Sequence, residues 1–324
     1  MRNILIILTG GTIGMRNVVN TGVVPTHELE DFLHSFPQLA EVAKVDVYEW
    51  MDIPSPWMTP QLMFDLAKFV EIKSADYDGI VITHGTDTLE ESAYLLDLVL
   101  TTSKPVVFTA AMRSITELGL DGPRNIIGAV RVASNYASAD KGVLVVMNDE
   151  IHAAREVVKS DTSKINTFMS LGYGKLGMVD PDRVIYERSL GKTESFWTDR
   201  IETNIDLIKL AAGTDGRYID ASVAAGAKAI VIEAFGRGNV PKDLVPSIQK
   251  AIDANIVVVI VSRAYTGRVM SEYGYEGGGA KLVEMGCLMG GDLRGQKARL
   301  KLMVLFGKYK DPELVKKFFR NSEK

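Results

Sequence analysis

Gly79-Ile80-Val81-Ile82-Thr83 is followed by His84-Gly85-Thr86-Asp87-Thr88, and then by an apolar pattern at helical spacing through residue 100. Five residues rich in β-branched side chains read as a strand. Their apolar run is nearly continuous, not alternating, which suits a strand covered on both faces, as in a parallel sheet. The helix behind it completes a strand–loop–helix unit, and the unit recurs. Further strands are expected at 4–8, 42–48, 106–109 and 143–147, and helices at 28–36, 60–72, 88–100 and 123–134. The expected fold is therefore α/β, with a doubly wound, mostly parallel sheet in the N-terminal part. Residues 189–201 are more polar, and the alternation then restarts. Strands are expected at 206–211, 229–233 and 256–261, and helices at 218–225, 241–254 and 296–306. This divides the chain into an N-terminal α/β domain at 1–190, a linker at 191–210 and a smaller C-terminal α/β domain at 211–324.

The composition narrows the function. The chain has 324 residues, 46% hydrophobic and 24% charged, with a net charge of −4. That balance argues against a broad basic nucleic-acid surface. One cysteine, Cys287, excludes an intrachain disulfide, and four dispersed histidines give no zinc-ligand spacing. The apolar run at 4–8 is too short for a signal-peptide core, and nothing approaches the ~20 apolar residues of a membrane span. A cytoplasmic protein without membrane, metal or cofactor is expected.

Two loops carry the chemistry. Thr9-Gly10-Gly11-Thr12-Ile13-Gly14 follows the first strand. Ligands of open α/β sheets bind beyond the carboxyl ends of strands, and the two glycines would present Thr12 there. A phosphate-gripping loop fits poorly, because Gly191-Lys192-Thr193 lacks the glycine five residues earlier. The second loop places Thr86 and Asp87 at another strand end. Its plain reading is a helix cap, with Asp87 and Glu90 three residues apart, and a histidine in such a turn, His84, is as often structural as basic. Gly172-Tyr173-Gly174-Lys175-Leu176-Gly177 matches G-x-G-x-x-G, but a turn at 179–182 follows it, not a helix, which speaks against a dinucleotide site.

Thr9-Gly10-Gly11-Thr12-Ile13 together with His84-Gly85-Thr86-Asp87-Thr88 resembles the two signature motifs of the bacterial-type L-asparaginase/glutaminase family. The resemblance continues through Ala154-Arg155-Glu156-Val157-Val158-Lys159, Tyr173-Gly174-Lys175-Leu176-Gly177, Gly236-Arg237-Gly238-Asn239 and Gln296-Lys297-Ala298-Arg299, so it covers nearly the whole chain. It implies an amidohydrolase acting on L-asparagine, with Thr12 as nucleophile and Thr86, Asp87 and Lys159 as a second, cooperating group. A desolvated lysine can serve as a base, an effect that a nearby carboxylate opposes. Read alone, Lys159 would be a solvated surface residue. Backbone N–H groups of the glycine-rich turns would hold the oxyanion.

The resemblance further implies that Asp87 and Thr86 hold substrate, that Ser55 binds its α-carboxylate, and that Asn239 reaches the site from a neighbouring subunit of a homodimer or homotetramer. An acidic residue from the C-terminal region is also implied, with Glu272 and Glu276 as the choices and Glu276 preferred. Plain readings of Ser55 and Asn239 are a loop residue before a proline-started helix and a Gly-Asn turn. The chain departs from the family pattern at Val23, where a tyrosine is common, and at Pro56-Trp57, where a polar side chain commonly assists Ser55. Asparagine is therefore expected as the preferred substrate, with modest affinity and some glutamine hydrolysis. The alternatives are the amidohydrolase subunit of a tRNA-dependent amidotransferase and a catalytically weak amino-acid-binding protein.

Overall fold

The computed structural model describes residues 1–11, 36–114, 116–190 and 194–320 in full, and residues 15–18, 22–25 and 321 as backbone. The chain divides into two compact units, Met1–Ser195 and Phe196–Lys324.

The first unit is built on β1 (Asn3–Leu8), followed by a small antiparallel pair, β2 (Met15–Val18) and β3 (Gly22–Pro25). Next come α1 (Leu39–Val42), β4 (Lys44–Glu49), α2 (Pro60–Lys73), β5 (Gly79–Thr83) and α3 (Leu89–Val99). They are followed by β6 (Val106–Thr109), α4 (Gly122–Ala133), β7 (Val143–Met147) and β8 (Glu150–Ala153). Four short strands close the unit: β9 (Val158–Lys159), β10 (Phe168–Met169), β11 (Gly177–Val179) and β12 (Val184–Tyr186). Eight of these strands form one sheet in the order β12-β11-β8-β7-β6-β5-β1-β4. From β4 to β7 every pairing is parallel, and β8, β11 and β12 continue it antiparallel.

The expected parallel core is present, and its cause is visible in the burial. All five residues of β5 are buried, as are those of β7. Ile4, Ile6, Val81, Val107, Leu144 and Val146 form one cluster with Ile126, Ala129 and Val130 of α4. At ~25 cal/mol per Å² of apolar surface removed from water, such continuous burial is what holds a parallel sheet between helices. Helix α2 starts as its sequence dictates: the Thr59 hydroxyl accepts the Leu62 N–H at 3.2 Å, and Pro60 takes the first helical position.

The antiparallel margin was not expected. Gly177 opens β11, and a Cβ there would lie 2.0 Å from the Ile185 carbonyl oxygen. The third glycine of the dinucleotide-like motif thus serves close pairing of two strands and opens no helix. The helix expected at 28–36 falls outside the described residues except for Phe36. The strand expected from residue 42 begins at Lys44, because Leu39–Val42 is a helical turn.

In the second unit β13 (Ile205–Lys209), β14 (Ala229–Ala234), β15 (Val257–Ser262) and β16 (Leu288–Met289) form a parallel sheet in sequence order. Its helices are α5 (Arg217–Ala224), α6 (Val245–Asp253), α7 (Gly279–Met285), α8 (Gly295–Tyr309) and α9 (Pro312–Asn321). Residues 205–209 lie inside the stretch read as linker, yet they are the edge strand of this sheet. Its core joins Ile230, Ile232, Val258 and Ile260 to Ile219, Leu244 and Ile248.

Candidate active site

The carboxyl ends of β1 and β5 lie side by side, since the two strands pair in parallel with Leu8 opposite Thr83. The Thr9 hydroxyl donates to the Thr83 carbonyl at 2.8 Å and latches the first loop to the second. Gly11 has φ +92°, and a Cβ on it would sit 2.5 Å from the Gly85 nitrogen and 2.7 Å from the Gly85 Cα. A Cβ on Gly85 would lie 2.6 Å from both Cβ and Oγ of Ser55. Three segments, 9–11, 53–55 and 84–88, therefore meet at closer approach than any side chain allows. The glycines of both motifs are there for that contact.

Thr12, the residue after Gly11, lies outside the described residues, as does the side chain of Val23. Thr86, Asp87, Lys159 and Ser55 are brought together. Lys159 Nζ donates to Thr86 Oγ1 at 2.9 Å and to Asp87 Oδ1 at 2.6 Å. The lysine side chain is 17% exposed and the Asp87 side chain 58%, so the group opens to solvent on the carboxylate side. Ser55 is buried, its Oγ accepts the Asp87 N–H at 3.2 Å, and its carbonyl accepts the Thr88 hydroxyl at 2.8 Å. A hydroxyl that accepts in this way keeps its own hydrogen to donate. One Asp87 oxygen, Oδ1, is engaged by Lys159, which leaves the second to face a cation. The arrangement supplies a hydroxyl in contact with an amine, and beside it a second hydroxyl and a carboxylate.

The cap arrangement expected for Asp87 and Glu90 is absent. Thr88 stands at the cap position of α3 without a side-chain capping bond. Glu90 is instead turned inward, where Oε2 accepts the main-chain N–H of Lys159 at 2.8 Å. His84 is fully buried and bonded at both ring nitrogens: Nδ1 lies 2.8 Å from the Gly85 carbonyl oxygen and Nε2 lies 2.9 Å from Ser92 Oγ. A carbonyl only accepts, so Nδ1 carries the hydrogen and Ser92 donates to Nε2. Burial drives this imidazole down to about 4, partly offset by its bond to Gly85. His84 is a neutral brace behind the Thr86 loop, not a base in the site.

A third loop, after β6, is held by a residue the sequence did not single out. Asp121 accepts the N–H groups of Met112 and Arg113 at 3.0 Å, and Asn125 Nδ2 donates to the Ala110 carbonyl at 2.9 Å. The only local signal is an aspartate before Gly122-Pro123 at a helix start, and it caps nothing there. Among the described residues no group of three or more His, Cys, Asp or Glu could hold a metal.

A family model described as "Asparaginase, N-terminal" matches residues 3–191, and one described as "Glutaminase/Asparaginase C-terminal domain" matches residues 204–319. The chain belongs to the asparaginase family. It is 35% identical to an L-asparaginase of Bacillus licheniformis over 96% of this chain and 97% of that one. It is 33% identical to a probable periplasmic L-asparaginase of Haemophilus influenzae (98% of this chain, 93% of the relative), and 33% identical to a glutaminase-asparaginase of Acinetobacter glutaminasificans (98% and 99%). As an asparaginase-family member, the chain is an amidohydrolase.

The other expected site residues of this asparaginase-family chain, Asn239, Glu272 and Glu276, belong to its second unit. Asn239 closes a tight turn, pairing with Phe235 through both main-chain groups, and its Oδ1 accepts the Gly279 N–H at 3.4 Å. Glu276 is exposed immediately before Gly277, whose carbonyl accepts the Val240 N–H at 2.9 Å. Asn239 and Glu276 thus flank one loop. Glu272 pairs with Arg237 at 3.2 Å. The run Gly277–Gly279 is buried and leads into α7. A Cβ on Gly277 would lie 2.4 Å from the Val240 carbonyl oxygen, so those glycines serve packing.

Proposed function

We propose that this protein hydrolyses the side-chain amide of L-asparagine to L-aspartate and ammonia, with Thr12 as the nucleophile and an acyl-enzyme as intermediate. The observation that carries the reading is the Thr86–Lys159–Asp87 group, with contacts of 2.9 and 2.6 Å, packed at the strand ends against the loop that leads to Thr12.

In this mechanism Thr12 Oγ attacks the side-chain carbonyl carbon. Thr86 takes the Thr12 proton as it hands its own to Lys159 Nζ, the lysine entering the step as the neutral amine. Backbone N–H groups of the two glycine-rich loops stabilise the oxyanion. The intermediate collapses, the proton returns to the leaving nitrogen, and ammonia departs. Water then attacks the Thr12 ester through the same relay, releasing aspartate and restoring the hydroxyl. The free oxygen of Asp87 binds the substrate ammonium, and the Ser55 hydroxyl donates to the α-carboxylate.

Asparagine and glutamine differ by one methylene, worth only ~1–3 kcal/mol in a pocket. Pro56 contributes no donor beside Ser55, so asparagine is preferred with some glutamine hydrolysis. In the same reading the enzyme is a cytoplasmic homotetramer whose sites are completed across subunits by Asn239 and Glu276. Light scattering and fractionation of source cells test assembly and location. Ammonia release measured on both amides tests the activity: turnover of asparagine above glutamine supports it, and turnover of neither overturns it.

A further inference from the structure

We propose that Glu90 is a positioning residue that fixes where Lys159 starts, and so sets the Lys159–Thr86 contact without touching substrate. The inference rests on the amidohydrolase reading above and concerns the same site.

Lys159 lies on β9, a two-residue strand that pairs only with β10 and takes no place in the large sheet. Phe168 stands opposite Lys159, and the ladder bond next to it runs from the Ser160 N–H to the Thr167 carbonyl at 2.7 Å. In an antiparallel pair successive N–H groups point to opposite sides. The Lys159 N–H therefore points away from β10, and it goes to the Glu90 carboxylate at 2.8 Å. Glu90 is only 8% exposed and sits in the first turn of α3, three residues past Asp87.

Lys159 is thus gripped at both ends by one five-residue stretch. Thr86 and Asp87 hold its Nζ, and Glu90 holds its main chain. A lysine carries a flexible four-carbon stem and about 2 kcal/mol of rotamer entropy. Contacts at Nζ alone do not fix the main-chain position from which the stem springs. The Glu90 bond ties the origin of the stem to the same helix that carries its targets, across 69 residues of sequence. A displacement of about 1 Å at a reacting group costs on the order of 10²-fold in rate.

The test compares Glu90→Ala and Glu90→Gln with the unaltered enzyme in steady-state ammonia release from asparagine, with melting midpoints to confirm folding. A glutamine amide oxygen can still accept the Lys159 N–H, whereas alanine cannot. Glu90→Ala is expected to lower kcat by roughly 10- to 100-fold while KM changes less than about threefold, because Asp87 and Ser55 remain. Glu90→Gln is expected to recover most of that loss and to leave the pH–rate profile in place. A folded Glu90→Ala enzyme with kcat within twofold of the original overturns the proposal. So does a Glu90→Gln enzyme as slow as Glu90→Ala, which would make the carboxylate charge the agent. If Glu90→Ala does not fold, the glutamine variant is judged against the unaltered enzyme: kcat within about threefold supports the proposal, and a larger loss overturns it. Absence of turnover in the unaltered enzyme would instead sink the function reading, so the two failures are distinct.

Discussion

Gly85→Ala adds one methyl group at the point where the second signature loop meets the segment carrying Ser55, and its consequences can be worked out from the geometry. The new Cβ would lie 2.6 Å from Ser55 Cβ, 2.6 Å from Ser55 Oγ and 3.3 Å from the Ser55 nitrogen. Non-bonded heavy atoms rest at ~3.5–4.0 Å, so the segments must part by about 1 Å. Rotating Ser55 does not relieve this, because its Cβ clashes as well as its hydroxyl. The serine backbone is also tied down, its carbonyl accepting from the Thr88 hydroxyl at 2.8 Å and the Met58 N–H at 3.0 Å. Overpacking of this kind costs ~1–3 kcal/mol, and losing the Asp87 N–H to Ser55 Oγ bond adds about 1 kcal/mol. The expected destabilisation is about 2–4 kcal/mol. The same 1 Å shift between Ser55 and Asp87 separates the two substrate anchors and should lower kcat/KM for asparagine by about 10²-fold. Ammonia release and thermal denaturation, run on the variant and the unaltered protein, measure both. A Gly85→Ala enzyme with kcat/KM within twofold of the original and an unchanged melting midpoint would refute the claim that these loops are held by glycine-to-serine contact.

Gly128→Ala is the matched control: it lies inside α4, where a Cβ would make ordinary contacts of 3.6 and 3.9 Å with Val146 and Val179. It should stabilise by about 0.5–1 kcal/mol with activity intact, read from denaturant unfolding. Lys159→Met should lower kcat with little change in KM, and Asp87→Ala should raise KM more, because the first removes the proton relay and the second also strands the substrate ammonium. The two steady-state profiles check this. His84 supplies a pH test. Its folded value of about 4 lies below the ordinary 6.5, so between those values the unfolded chain binds the extra proton. Stability is then full above pH 6.5 and falls by ~3 kcal/mol as pH drops toward 4. His84→Gln should flatten the melting-midpoint profile across that window.

The parallel core was legible because its signal is local. β5 carries three apolar β-branched residues in a row, Ile80–Ile82, and the helix behind it follows after one short loop. The antiparallel margin was not, because β8, β11 and β12 are only three or four residues long and β11 begins at a glycine needed for close pairing, which hides strand periodicity. The α7 start at Gly277–Gly279 read as a loop for the same reason: three glycines look flexible until Val240 is seen against them.

In the site, the strand-end position put Thr86 and Asp87 in view, although the plain reading of their loop was a helix cap. Lys159 was not, since an isolated lysine in a short strand looks solvated, and its contacts lie 72 and 73 residues away. Family resemblance supplied what local pattern could not. Glu90 was misread because a carboxylate in a helix's first turn has a sufficient local explanation. Its partner, a main-chain N–H, leaves no mark in side-chain sequence at all. Asp121 escaped in the same way, since its carboxylate is engaged mainly by backbone amides of the loop after β6.

The central claim is tested most directly by ammonia release from L-asparagine by purified protein beside a folded Thr12→Ala variant. The account predicts saturable turnover by the unaltered enzyme, within the common range of ~1–10³ s⁻¹. It predicts a loss of at least about 10³-fold in the variant at an unchanged melting midpoint. A folded Thr12→Ala protein that releases ammonia at a near-normal rate would contradict the account.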